Sequence, residues 1–317
     1  MRVVFKGTPA SAANSLGRLI DDGHDLAAVY TQPDRPAGRG NKIVFSPVKQ
    51  LTIDRKIPLL QPAKIRTPEA LAEFSGFNAD VAVVVAYGRI LPDGFLEAFP
   101  HGAVNVHFSL LPKYRGAAPV NWAIACGERR TGVTTMKMDS GLDTGDILMT
   151  RETEIGRQEA APQLMERLSG IGAELLSETI AIINDLIPLP QDHSAATYAP
   201  ILKREDGLID WSMSAEEISN RVRGFQPFPG TFTYYQQKKL TIWAATPLDR
   251  TDIRKVLPGT VISTEGGTLE VSAGRGTTLQ VAEVQFEGKR RMTIRDVLNG
   301  VPIAPGERFV PSARDDS

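Results

Sequence analysis

The chain has little from which to build a covalent or metal scaffold. Its one cysteine, Cys126, excludes an intramolecular disulfide and a cysteine-based zinc centre. His24, His101 and His193 lie near turns without ligand-like neighbours, so no metal site is expected. Charge of one sign is also lacking: 36 Lys and Arg stand against 37 Asp and Glu, a net charge of −1. Any attraction to a polyanion must then come from local clusters, such as Lys238-Lys239 or Lys289-Arg290-Arg291. The longest apolar run, Val81 to Ala86, is far too short for a bilayer span, so no membrane partner is expected. Met1 to Phe5 enters an apolar run directly, without a secretory-signal pattern, and the expected location is cytoplasmic. The turn after that run carries Gly7 but not the further glycines that let a dinucleotide pyrophosphate approach the backbone, which argues against a dehydrogenase.

What is present, with 42% hydrophobic residues, suffices for one large core or two ordinary ones. Arg2 to Lys6, Asp25 to Thr31, Asp80 to Ala86 and Gly102 to His107 read as buried strands. Between the first two, Ala12, Ala13, Leu16, Leu19 and Ile20 recur at helical spacing after Pro9. The alternation predicts an α/β domain with a doubly wound, mostly parallel sheet, and a ligand crevice at the carboxyl ends of its strands. Ala161 to Ile187 reads as one long helix. A Pro-containing linker follows, and then a helix over Ala215 to Phe225. Short strands come next, Thr231–Tyr235, Leu240–Ala245, Gly259–Ser263, Thr268–Ser272 and Leu279–Phe286, as in a small, OB-like β-barrel. The expected division is 1–187, a linker at 188–205, and 206–317. Cys126 and Trp243 are expected in cores.

Asn105 and His107 end an apolar strand and, by period two, point to one side. An Asn and a His projecting together can receive a developing oxyanion and handle a proton. Asp143, in the glycine-bracketed loop Ser140 to Asp146, could turn a carboxylate toward the imidazole. On spacing alone a structural role is the commoner reading of a strand-end His with a loop Asp.

The run Asn105 to Ala118, NVHFSLLPKYRGAA, and Asp143-Thr144-Gly145 resemble the two signature motifs of the folate-dependent formyltransferases. The resemblance implies a formyl-transfer enzyme with 10-formyltetrahydrofolate as cosubstrate and no metal. It assigns catalysis to Asn105, His107 and Asp143, and folate contacts to Val85, Tyr87, Ile90, Ser109, Leu110, Leu111 and Pro112. Thr31 to Gly40 with Ser46 to Lys49 is similar to the long loop of the members that act on initiator methionyl-tRNA. That similarity places Arg39, with Arg35 and Lys42, against the acceptor arm, and makes residues 206–317 a tRNA-binding domain. The implied partners are initiator methionyl-tRNA and folate, with no DNA, on a monomer. Formylation of an amino sugar and hydrolysis of formyltetrahydrofolate are the alternatives on the same scaffold, with a non-enzymatic RNA-binding protein behind them. Three positions depart from the family pattern: Lys6, Ala10-Ser11-Ala12 and Phe108. Alternation points Phe108 away from Asn105 and His107, so its ring is expected to pack beneath the site; the alternative, if the strand has already ended at His107, is a ring that swings toward the folate and obstructs it.

Overall fold

The computed structural model describes residues 1–34, 36–37, 42–249 and 256–312. A first unit comprises residues 1–119, 130–154 and 165–199, and a second comprises 120–129, 155–164 and the chain from Pro200 onward.

The first unit is built on a seven-stranded sheet. Its spatial order is Ile147–Glu154, Arg130–Lys137, Ala103–His107, Val81–Val85, Arg2–Gly7, Asp25–Tyr30, Leu59–Leu60. The last five are mutually parallel, and the first two join the edge antiparallel. Val81–Val85 is buried along its whole length, as a run of Val and Ala covered on both faces must be. The chain leaves Arg2–Gly7 toward Asp25–Tyr30 and later returns on the opposite side as Val81–Val85. The winding therefore reverses between these two strands, and a crevice opens at their carboxyl ends.

One face of the sheet carries the helices Ala10–Asp21 and Ala161–Ala181, which meet where Asn14 Nδ2 donates to Ser169 Oγ at 2.8 Å. The other face, with Val4, Ala28, Ala82, Val84 and Ala103, packs on Phe74, Phe95 and Phe99. The long helix ends at Ala181, short of Ile187: Ile182 to Asp185 form a turn ahead of Pro188, which disfavours helix in the residue before it.

The second unit is a curled antiparallel sheet. Its order is Thr231–Tyr235, Lys238–Leu248, Thr277–Phe286, Leu269–Ala273, Val261–Ser263, with Met292–Thr293 beside Thr277–Phe286. Register shifts between Ile242 and Ala245 bend the longest strand. Residues near the carboxyl end then bridge the two edge strands: Val310 pairs with Tyr234, and Arg308 with Thr260. Both exposed edges are thereby occupied, which removes templates for intermolecular pairing. Helix Ala215–Gly224, capped by Ser214 and Glu217, packs Ile218 and Val222 into the core around Trp211.

Two core expectations fail here. Cys126 is exposed, because Val120, Ala123 and Ile124 take the buried side of helix Pro119–Ala125 and Cys126 lies past its end. Trp243 is only half-buried and donates its Nε1 to Gln285 Oε1 at 3.0 Å; alternation gives the core position to Ile242. Of the adjacent tyrosines, Tyr235 faces the core and Tyr234 does not.

Candidate active site

Strand Ala103–His107 lies beside Val81–Val85, one place from the reversal of winding. Its alternation divides the signature into two faces. Val106 and Phe108 face the long helix at Gly172: a Cβ built there would lie 3.1 Å from Val106 and 3.3 Å from Phe108. Phe108 is buried. The strand ends at His107, yet Phe108 keeps its period, so the ring packs beneath the sheet and away from Asn105 and His107.

Asn105 and His107 share the opposite face, 8% and 5% exposed. No hydrogen bond commits the carboxamide of Asn105 among the described residues, and it is not among their buried polar atoms that lack a partner. The imidazole is committed on one side: His107 Nε2 lies 2.9 Å from the carbonyl oxygen of Tyr114. A carbonyl only accepts, so Nε2 carries its proton and Nδ1 holds the free lone pair. Nδ1 faces Asp143 Oδ2 at 3.7 Å, within ion-pair reach but longer than a hydrogen bond.

Asp143 comes from the loop between the paired strands Arg130–Lys137 and Ile147–Glu154. A Cβ at Gly145 would overlap the Lys137 carbonyl, so only glycine lets the loop close here. Asp139 ties the loop internally, accepting from Gly141 N and Thr144 Oγ1. Asp143 itself adopts φ +52°, a conformation that Asp tolerates better than most residues. Its Oδ2 accepts from the Gly116 N–H at 2.8 Å.

The residues assigned to folate fall into two groups. Val85 is fully buried at the end of its strand, and Tyr87 is buried with its carbonyl bonded to Gln32 Nε2. Ile90 is 69% exposed and, with Arg89 and residues 63–67, lines a cavity of about 530 Å³. Leu110 is half-buried, while Ser109 and Leu111 are buried in the turn after His107. Ser109 Oγ donates to the Lys113 carbonyl at 2.6 Å, and Thr134 Oγ1 bridges Ser109 O and Leu111 N. Pro112 is half-buried in the same turn. Of these seven residues, Ile90 is the one that lines this cavity.

A second cavity, of about 410 Å³, is lined by Thr8, Gln32, Asp34, Ser46 and Gly88. Hydrogen bonds from Lys49 and Gln61 hold the Asp34 carboxyl below the usual carboxylate range. This cavity lies at the base of the loop that begins at Asp34, where Pro36–Ala37 pairs with Lys42–Ile43. Arg35, Arg39 and the side chain of Lys42 lie outside the described residues.

Sequence reasoning gave no role to Arg115, Gln191, Thr134 or the Tyr114 carbonyl. Gln191 stands in a stretch that reads only as linker; the one signal was Arg115, inside the signature run. Among the described residues, no three His, Cys, Asp or Glu groups gather as a metal ion would need, and no helix is long and apolar enough to cross a membrane.

Known proteins resemble the chain over nearly its whole length. The family described as Formyl transferase matches residues 1–180, and its C-terminal domain matches residues 201–302. The chain is 46% identical over 308 residues to the methionyl-tRNA formyltransferase of Alkaliphilus oremlandii, covering 96% of this chain and 98% of that protein. It is 47% identical over 308 residues to the methionyl-tRNA formyltransferase of Citrifermentans bemidjiense, covering 96% and 95%. Among solved structures, the N-formyltransferase of Helicobacter canadensis, in complex with folinic acid and dTDP-3-aminofucose, superposes with a TM-score of 0.67 at 19% identity, over 88% of this chain and 98% of that one. HypX of Aquifex aeolicus, in complex with tetrahydrofolic acid, gives 0.63 at 16% identity, over 98% and 50%. These two likenesses are of fold alone. The near-full-length identity decides the matter: the chain belongs to the formyl transferase family, with the methionyl-tRNA formyltransferases.

Proposed function

We propose that the protein transfers the formyl group of 10-formyltetrahydrofolate to the α-amine of methionine on initiator methionyl-tRNA, with Asn105, His107 and Asp143 as the catalytic residues. The observation that carries the site assignment is the end of strand Ala103–His107. There an uncommitted carboxamide and an imidazole Nδ1 share a face, with an anchored carboxylate 3.7 Å from Nδ1. All three groups come from one chain, which suits a monomer. A charged tRNA as substrate suits the compartment of translation, the cytoplasm.

The new C–N bond forms between the amine nitrogen and the formyl carbon, and the bond from that carbon to the folate nitrogen breaks. The amine loses a proton and the folate nitrogen gains one. A free α-amine has a pKa of about 7.7–8.0, so a useful fraction is already nucleophilic near pH 7. Asn105 donates its amide N–H to the formyl oxygen, where negative charge develops. His107 keeps Nε2–H on the Tyr114 carbonyl and uses Nδ1 to move the proton. The amine proton passes to Nδ1, directly or through a water, and from there to the folate nitrogen, while Asp143 stabilises the imidazolium in between. Folate binds along 85–90 and 109–112, and Arg35, Arg39 and Lys42 meet the acceptor arm. Residues 206–317 add affinity for tRNA, with 1–187 as the catalytic part and 188–205 joining them.

Asn105→Ala should lower kcat at least about 100-fold, the usual cost of losing an oxyanion donor, and His107→Ala and Asp143→Ala at least about 100-fold as well, through loss of acid–base catalysis, with thermal stability retained. The assay is formyl transfer to charged initiator tRNA at saturating folate. Near-native turnover in any of the three removes that residue from the mechanism.

A further inference from the structure

Gln191 is buried in the segment between the long helix and Pro200, and every polar atom of its carboxamide is used. Nε2 donates to the carbonyl oxygens of Asp143 at 3.0 Å and of Gly145 at 2.6 Å. Oε1 accepts from Arg115 Nε at 3.1 Å and Nη2 at 2.6 Å. Carbonyls only accept and a guanidinium only donates, so the amide can sit in one orientation. Arg115 is 2% exposed, and its Nη2 also meets His193 Nδ1 at 3.1 Å. Arg115 immediately precedes Gly116, whose N–H holds the Asp143 carboxylate. Pairing of Arg115 with Tyr198 and of Gly116 with Ala199 fixes that strand against the Gln191 segment.

Asp143 is therefore gripped at both ends, its backbone by Gln191 and its carboxylate by Gly116, and Arg115 joins the two anchors. Its left-handed backbone needs such over-determination to persist. The gap to His107, 3.7 Å, is where a small displacement changes the interaction most. We infer that Gln191 is a positioning residue for Asp143, itself held by Arg115, and that it sets the reach of the carboxylate to His107. The inference rests on the catalytic reading of Asp143 above.

Gln191→Glu separates positioning from mere support. A carboxylate keeps, and strengthens, the partner of Arg115, so the variant should fold. It cannot donate to the Asp143 and Gly145 carbonyls. Gln191→Leu, of similar size, removes both sets of bonds and serves as the second variant. Each is made in the native chain and in an Asp143→Asn background, with kcat and KM for 10-formyltetrahydrofolate measured alongside thermal unfolding. The expected result is a fall in kcat of about 10- to 100-fold in the native background, as for a misplaced reacting group, with KM nearly unchanged. In the Asp143→Asn background the same change should cost less than about two-fold, because residues acting through one group are not additive. Equal losses in both backgrounds, or no loss in the native one, would overturn the inference while leaving Asp143 in the mechanism. Undiminished turnover of Asp143→Asn alone would overturn both.

Discussion

Lys6, one residue before the end of the first strand, carries its amine inside the protein. The side chain is fully buried, and Nζ has no hydrogen-bond partner among the described residues. Nζ lies 4.1 Å from the ring centre of Tyr30, 4.2 Å from Phe74 and 4.6 Å from Phe95. Ring faces attract the ammonium by about 0.5–2 kcal/mol, which offsets only part of the several kcal/mol that desolvating an unpaired ion costs. Burial accordingly pushes the Lys6 amine from 10.5 down to about 7. Below about 7 the group is protonated in both folded and unfolded chains, and the folded state bears the full cost. Between about 7 and 10.5 the folded protein has released a proton that the unfolded chain retains, so stability rises with pH across that window. Lys6→Met should remove the cost. The variant should be more stable by ~1–3 kcal/mol at pH 6, with the gain shrinking toward pH 10. Urea denaturation at pH 6, 8 and 10 checks this; a gain that stays constant or grows with pH would show that Lys6 does not titrate in the fold.

The strand Ala103–His107 and the helix Ala161–Ala181 show how far an element can be read from sequence. Alternation placed Asn105 and His107 on one face and Phe108 on the other, and the packing at Gly172 agrees. Glycine at 172 is what brings the helix close enough for the ring to seat. Phe108→Ala should leave a cavity beneath the site and cost about 3 kcal/mol in denaturant unfolding. The KM for folate should hold within about two-fold, since uniform substrate binding is untouched. Tighter folate binding at unchanged stability would place the ring in the pocket. The central strands were legible because a Val-rich run covered on both faces has few other structures open to it. The edge strand Ile147–Glu154 was not: its residues alternate between half-buried and exposed, so no apolar stripe announces it. The bracing of Asp143 by Gln191 was illegible for another reason. A buried Gln in a Pro-flanked segment looks like any linker residue until the fold brings it against carbonyls 46 and 48 positions away.

At the scale of the whole molecule, a net charge of −1 gives no general attraction to RNA, so tRNA affinity has to be local. In the second unit the candidates differ in how free their charge is. Arg291 is ion-paired with Glu283 and lies 5.5 Å over the Trp243 ring. Lys239 is half-buried, with Nζ 3.8 Å over Phe232, and its pKa is lowered, first by desolvation and then by Arg204. Lys238, Lys289 and Arg290 are exposed, the last two on the turn that carries Gly288. A phosphate contact releases counterions only if its cation is not already neutralised, so these three should carry the salt dependence. In the full-length protein, Lys289→Ala and Arg290→Ala should each flatten the slope of log K against log salt for tRNA by about 1. Arg291→Ala should leave the slope nearly unchanged, because Glu283 already balances that charge. Folate affinity should be the same in all three, since none of them lies among the residues assigned to folate. Binding titrations at 50, 100 and 200 mM salt, roughly the range over which such slopes are read, distinguish the cases. If Arg291→Ala flattens the slope as much as Lys289→Ala does, the ion pair opens on binding and Arg291 joins the RNA surface. If none of the three changes it, the turn at Gly288 does not touch RNA, and the electrostatic contacts belong to other basic residues.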